Sequence, residues 1–238
     1  MATKTPWTLL RGGTAEQQQG LQQLQRTHAR ARNGSTIMEL GVAHLWLYQY
    51  QQAWEHFSET IKEFRMRGDA FYGMAGVAKW CLEEPSEAVS QWRAGLGANY
   101  ARASGLGIRM PLLLFFASVL RPEISDRAVA KELMLEKVKD PRITTWPGPI
   151  AQLVLGQISD GDLQDQCRGN SQQDTRGGQR WLAEFYRSLI GPEQWTLSVF
   201  KEFARQLTDT HQPEWRDEDF LLSRIWNEEF FLARHAAI

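Results

Sequence analysis

Fourteen residues, "KWCLEEPSEAVSQW" from Lys79 to Trp92, gather a cysteine, three glutamates, two serines and two tryptophans. Cys81 as a thiolate would be a nucleophile if an imidazole elsewhere in the fold took its proton. Glu83 and Glu84 could act as acid and base if their surroundings pushed their pKa values apart. Other catalytic kits are missing. The five histidines, His28, His44, His56, His211 and His235, form no HExxH pair, so no metal is expected. The glycines of "RGGT", "GLGAN" and "SGLGIR" precede no Lys-Ser/Thr, so no phosphate loop and no nucleotide cofactor is expected. "SDGDLQD", Ser159 to Asp165, has some likeness to a calcium loop but lacks the closing glutamate and the alternating oxygen ligands, and reads better as a helix N-terminus carrying acids. No G-x-S-x-G elbow is present.

A chain of 238 residues can bury a core without staples, as one domain or one repeat array. Its 27 Lys+Arg balance 28 Asp+Glu, which argues against nucleic acid as a partner. Cys81 and Cys167 are too far apart in the chain for a CxxC pair and suit a reducing compartment. The N-terminus holds no signal-peptide core, and the longest apolar run, Met110 to Leu120, is about half of the ~20 residues that span a bilayer. The expectation is a cytoplasmic protein without a membrane partner.

What must position any site is a repeat. Leu40 to Ile61 laid over Ala75 to Leu96 aligns Gly41-Val42-Ala43 with Gly76-Val77-Ala78, Leu47 with Leu82, Ala53 with Ala88 and Phe57 with Trp92. In each copy a glycine is followed by an alanine twelve positions on, then by a large aromatic four later. Two antiparallel helices need this: a small residue where the backbones approach and an aromatic one turn on to fill the space beside it. The pattern resembles the tetratricopeptide repeat, W-x2-L-G-x2-Y then A-x3-F. Here the positions read Ile37, Leu40, Gly41, His44, Ala53, Phe57 and Tyr72, Ala75, Gly76, Lys79, Ala88, Trp92. Ile37 or Tyr72 stands for the first Trp, and His44 or Lys79 for the Tyr. The part from Trp146 through "LGQIS" to the Gln179–Phe203 region resembles bacterial tetratricopeptide proteins of the outer-membrane lipoprotein kind, without their lipoprotein signal.

The resemblance implies an all-α fold, an α-solenoid of antiparallel helix pairs with units at about 34–68, 69–104, 108–141, 146–169 and 179–210, closed by a capping helix at 217–235. In the third unit Ser125-Asp126 is read as an N-cap and Val129, Leu133, Met134 and Val138 as the buried stripe. Residues 1–33 are polar and Gln-rich, with at most one helix on Leu21 and Leu24 after a Thr14 cap. Phe220, Ile225, Trp226 and Phe230 of the tail suit either a cap or a homodimer surface.

Such an array presents a groove lined by the first helix of each unit. In the repeat register the lining is Met38, Glu39, Val42, Leu45 and Trp46, then Gly73, Met74, Val77, Trp80 and Cys81. It is apolar and aromatic, without the basic set that holds a peptide's terminal carboxylate, so it suits an apolar helix or strand from a partner protein or from this chain's own ends. Alternatively these residues are core, covered by residues 1–33. The function expected is a non-catalytic protein-binding module. The alternatives are a cognate inhibitor, such as an immunity protein that neutralises a toxin domain, and an enzyme using Cys81, with His44 brought from the preceding unit, or Glu83/Glu84.

Overall fold

A computed structural model describes residues 5–10, 13–63, 69–98, 107–140, 143, 146–169, 183, 186, 187, 189 and 190. Among these the chain is all-helical: α1 (Pro6–Leu10), α2 (Thr14–Arg30), α3 (Gly34–Trp46), α4 (Tyr50–Glu63), α5 (Asp69–Cys81), α6 (Pro85–Gly95), α7 (Arg109–Leu120), α8 (Arg127–Val138), α9 (Gly148–Val154) and α10 (Asp160–Gly169). It divides into two units, Met1–Gly95 and Leu96–Ile238. The expected unit at 179–210, the capping helix at 217–235 and its residues Phe220, Ile225, Trp226 and Phe230 lie outside the described residues or almost wholly so, as does the side chain of Cys167.

In the first unit each helix packs on the next, from α1 to α6, and α3 also touches α5. Asn33 starts α3 with a capping box: its side-chain oxygen accepts from Thr36 N at 3.1 Å, and the Thr36 hydroxyl accepts from Asn33 N at 3.2 Å. Both hairpins, α3–α4 and α5–α6, close on the glycine and aromatic that recur in the sequence. A Cβ at Gly41 would overlap the Phe57 ring, and one at Gly76 the Trp92 indole. Phe57 and Trp92 are fully buried, and Trp92 Nε1 donates to Gly73 O at 3.1 Å. The missing Cβ is therefore what lets an aromatic lie flat on the neighbouring backbone, with its polar edge satisfied.

The turns of the two hairpins also repeat, atom for atom. Tyr48 N donates to Leu45 O and Gln49 N to His44 O; one repeat later Glu83 N donates to Trp80 O and Glu84 N to Lys79 O. Tyr48 and Glu83 both take φ of 60°. This is the Schellman ending, in which one left-handed residue lets the chain turn back on the last carbonyls of a helix. It recurs in the second unit after α9, where Gly156 at φ 70° donates to Leu153 O and Gln157 N to Gln152 O. Only there does glycine hold the position.

Residues 1–33 carry two helices where their polarity suggests at most one. Pro6 opens α1, whose Leu9 and Leu10 are 3% and 0% exposed. The close approach of α1 to α2 falls at Gly20, where a Cβ would meet Pro6 O at 2.6 Å. Gly13, not Thr14, occupies the α2 N-cap, and Leu24 is the buried leucine while Leu21 is half-buried.

In the second unit α7 packs on α8, α8 on α9 and α9 on α10. Nine of the twelve α7 residues, Met110 to Ser118, are buried, which explains its unbroken apolar run. The α8 N-cap is Asp126, whose carboxylate accepts from Ala128 N at 2.7 Å and Val129 N at 3.3 Å; Ser125 instead donates to Leu114 O at 2.9 Å. The α8 stripe is displaced from its expected register. Ala130 and Met134 are the buried pair, and Val129 is 50% exposed. The small Ala130 lets the helix approach closely, so the seam centres on it rather than on the larger Val129. Leu163 of α10 and Ala183 form a small cluster with Trp146, Leu153 and Ile158. Ser159 and Asp162 cap α10 reciprocally, and those hydrogen bonds hold the Asp162 carboxyl below the usual range.

Candidate functional site

The cysteine and glutamates that open the chemical question sit at a turn. Glu83 is the exposed left-handed residue, and Glu84 is the N-cap of α6, accepting from Ala88 N. Lys79 Nζ donates to Glu84 Oε2 at 2.6 Å and lies 4.6 Å from the centre of the Trp54 ring. The Glu84 carboxylate thus neutralises a lysine that an aromatic face already holds. Pro85 takes the first helical position, where its missing N–H leaves no hydrogen bond unmade. Cys81 is a buried thiol, 8% exposed. Among the described residues no group of three or more His, Cys, Asp or Glu could hold a metal ion.

The residues of the expected lining are largely buried. Val42, Leu45, Met74 and Val77 are at most 3% exposed, Trp46 is 8% exposed, Gly73 is buried, and Met38, Glu39 and Trp80 are half-buried. The Trp46 indole Nε1 donates to Leu10 O at 2.9 Å. A carbonyl at the end of α1, free of an intrahelical partner by its position, thus receives the polar edge of the Trp46 ring. Leu9 and Leu10 are the residues that α1 buries. Trp80 stacks on Trp92 with centroids 5.7 Å apart and planes at 25°.

Beside this face lies a group of histidines that motif spacing does not reveal. His44 on α3 is 7% exposed and stacks on His56 of α4, centroids 5.2 Å apart and planes at 23°. His44 Nδ1 lies 2.6 Å from Gln49 Oε1, across the hairpin turn. His56 Nδ1 is buried with no hydrogen-bond partner. His28 of α2 is near, its Nδ1 3.2 Å from the Thr36 hydroxyl. Burial first of all holds the His44 imidazole below its ordinary pKa, although Gln49 and Glu55 pull it up. Burial does the same to His56, helped by His44 and His28 and opposed by Glu59 and Glu55.

The signal for this pair lay in the hairpin itself. His44 is nearly one turn beyond Gly41, and His56 precedes Phe57, so the antiparallel pairing that seats Phe57 on Gly41 brings the two imidazoles together. The second repeat keeps the cross-turn contact with other residues: Lys79 to Glu84 replaces His44 to Gln49, and Gln91 stands where His56 would be. No helix among the described residues is long and apolar enough to cross a membrane. Compared with known protein families, curated proteins and solved structures, the chain matches none of them.

Proposed function

We propose that the chain is a non-catalytic protein-interaction module of divergent tetratricopeptide-like repeats, an α-solenoid whose α3 and α5 face receives an apolar helix of a partner protein. Met38, Glu39, Val42, Leu45 and Trp46 of α3 and Met74, Val77, Trp80 and Cys81 of α5 form the receiving face. In the isolated chain α1 occupies part of it. The observation that carries the reading is the Trp46 indole bonded to the Leu10 carbonyl beside the buried apolar residues Val42, Leu45, Met74 and Val77. Supporting the solenoid is the repeated Gly-aromatic lock and Schellman turn of α3–α4 and α5–α6. A five-residue helix holding two leucines and one indole bond is a small occupant, so a longer partner helix carrying two adjacent aliphatic residues can displace it.

The test is capture of a partner by the full chain, compared with Trp46→Ala plus Trp80→Ala, followed by hydrogen-exchange mapping of the complex. The reading predicts loss of capture in the double variant, protection gained on α3 and α5, and protection lost on α1. Protection confined to other helices would refute the receiving face.

A further inference from the structure

We propose that the stacked His44–His56 pair is an acid-sensitive latch between α3 and α4, closed while both imidazoles are neutral and loosened when either takes a proton. The geometry is that of two rings 5.2 Å apart, one on each helix of the first hairpin. His56 Nδ1 is buried without an acceptor, so protonation there places an N–H in a site that offers it no hydrogen bond. A second proton would put two like charges face to face at stacking distance.

The surrounding charges do not cancel this. From α2 comes His28, and from the α2–α3 connection Arg32, which bonds Glu59 and Glu63. From α4 come Glu55 and Glu59, the latter engaged by Arg32. The α5 cation Lys79 is held by Glu84 and the Trp54 ring. From the turn between α3 and α4 the contact to His44 is Gln49, which is neutral. Burial is the leading cause of the depressed pKa at both rings, ahead of every carboxylate.

The sign follows. Each imidazole binds its proton less readily folded than unfolded, so its contribution is fully present above the unfolded pKa of about 6.5 and is lost as pH falls from there through the depressed folded values. The loosening reaches α2, which packs on α3, and with α2 the cover at Trp46. Exposure of Trp46 has a role only under the binding reading above; the latch itself does not depend on that reading.

The second hairpin is an internal control, with the same turn and lock but Lys79 and Gln91 in place of the histidines. Hydrogen exchange of the full chain at about pH 7.5 and about pH 5.5, corrected for intrinsic rates, is expected to show α3 and α4 losing protection while α5 and α6 keep theirs. In His56→Phe, which keeps a stacked ring and removes the orphan nitrogen, the acid-induced loss on α3 and α4 should shrink to less than half. Equal loss on both hairpins, or an undiminished loss in His56→Phe, overturns the proposal. Nuclear magnetic resonance titration of the wild-type imidazoles decides it even if the variant fails to fold: His44 and His56 must titrate below free imidazole, and values at or above it overturn the latch.

Discussion

Replacing Gly76 by alanine puts the repeat's lock to the severest test. The new Cβ would fall on three atoms of the Trp92 indole, a side chain with no exposed surface. Displacing a ring in such a core destabilises by about 1–3 kcal/mol. The shift also pulls Nε1 off Gly73 O, at 3.1 Å, and an orphaned buried donor destabilises by about 1–3 kcal/mol more. Against these stands the helix preference of alanine over glycine, about 1 kcal/mol. The balance is a loss of about 3 kcal/mol. Gly41→Ala meets the same crowding from Phe57, a ring with no hydrogen bond to lose, and should destabilise by only about 1 kcal/mol. Urea unfolding followed by far-ultraviolet circular dichroism, with hydrogen exchange of α5 and α6 to assign the transition to this unit, measures both. In a Trp92→Leu background the smaller side chain leaves room for the Cβ, and the Gly76→Ala penalty should largely vanish. A Gly76→Ala protein within about 0.5 kcal/mol of wild type, as for a surface substitution, would refute the lock.

Five further substitutions probe the turns, a cap and a surface pair. Glu83→Gly and Tyr48→Gly, at φ of 60°, relieve left-handed strain of about 1–2 kcal/mol and add glycine's unfolded-state entropy of about 0.5–1 kcal/mol, so each should stabilise by about 0.5–1 kcal/mol in urea unfolding. Asp126→Ala removes an N-cap with two backbone donors and should lower stability by about 1 kcal/mol, while Val129→Ala, at an exposed site, should change it by less than about 0.5 kcal/mol in the same assay. Lys79→Met should lose about 1 kcal/mol through the Glu84 pair and the Trp54 face, and raising salt to about 1 M should shrink the difference from wild type.

The two hairpins α3–α4 and α5–α6 of the first unit are legible because their cause is local. A glycine, an alanine and an aromatic at fixed intervals declare an antiparallel close approach, and Gly41 and Gly76 meet Phe57 and Trp92 as that pattern requires. The turns were less legible. Tyr48 and Glu83 hold a left-handed position that sequence normally marks with glycine, as it does at Gly156. The short α1 is not legible because five residues show no periodicity, and its burial is decided by packing on α2 at Gly20. The apolarity of Val129 points to the seam, whereas the seam follows the small Ala130. His44 and His56 meet across a hairpin, so no linear motif spacing announces them.

The Trp46 indole N–H is the direct probe of the covered face. Measured by nuclear magnetic resonance on the full chain, its exchange should be slowed to a degree comparable with the Trp92 indole, since both are buried and bonded to a carbonyl. In Leu9→Asp plus Leu10→Asp, which removes α1 from its seat, Trp46 protection should collapse while Trp92 protection persists. A Trp46 indole that exchanges like an exposed one in the wild-type chain, or that stays protected in the variant, would contradict the account.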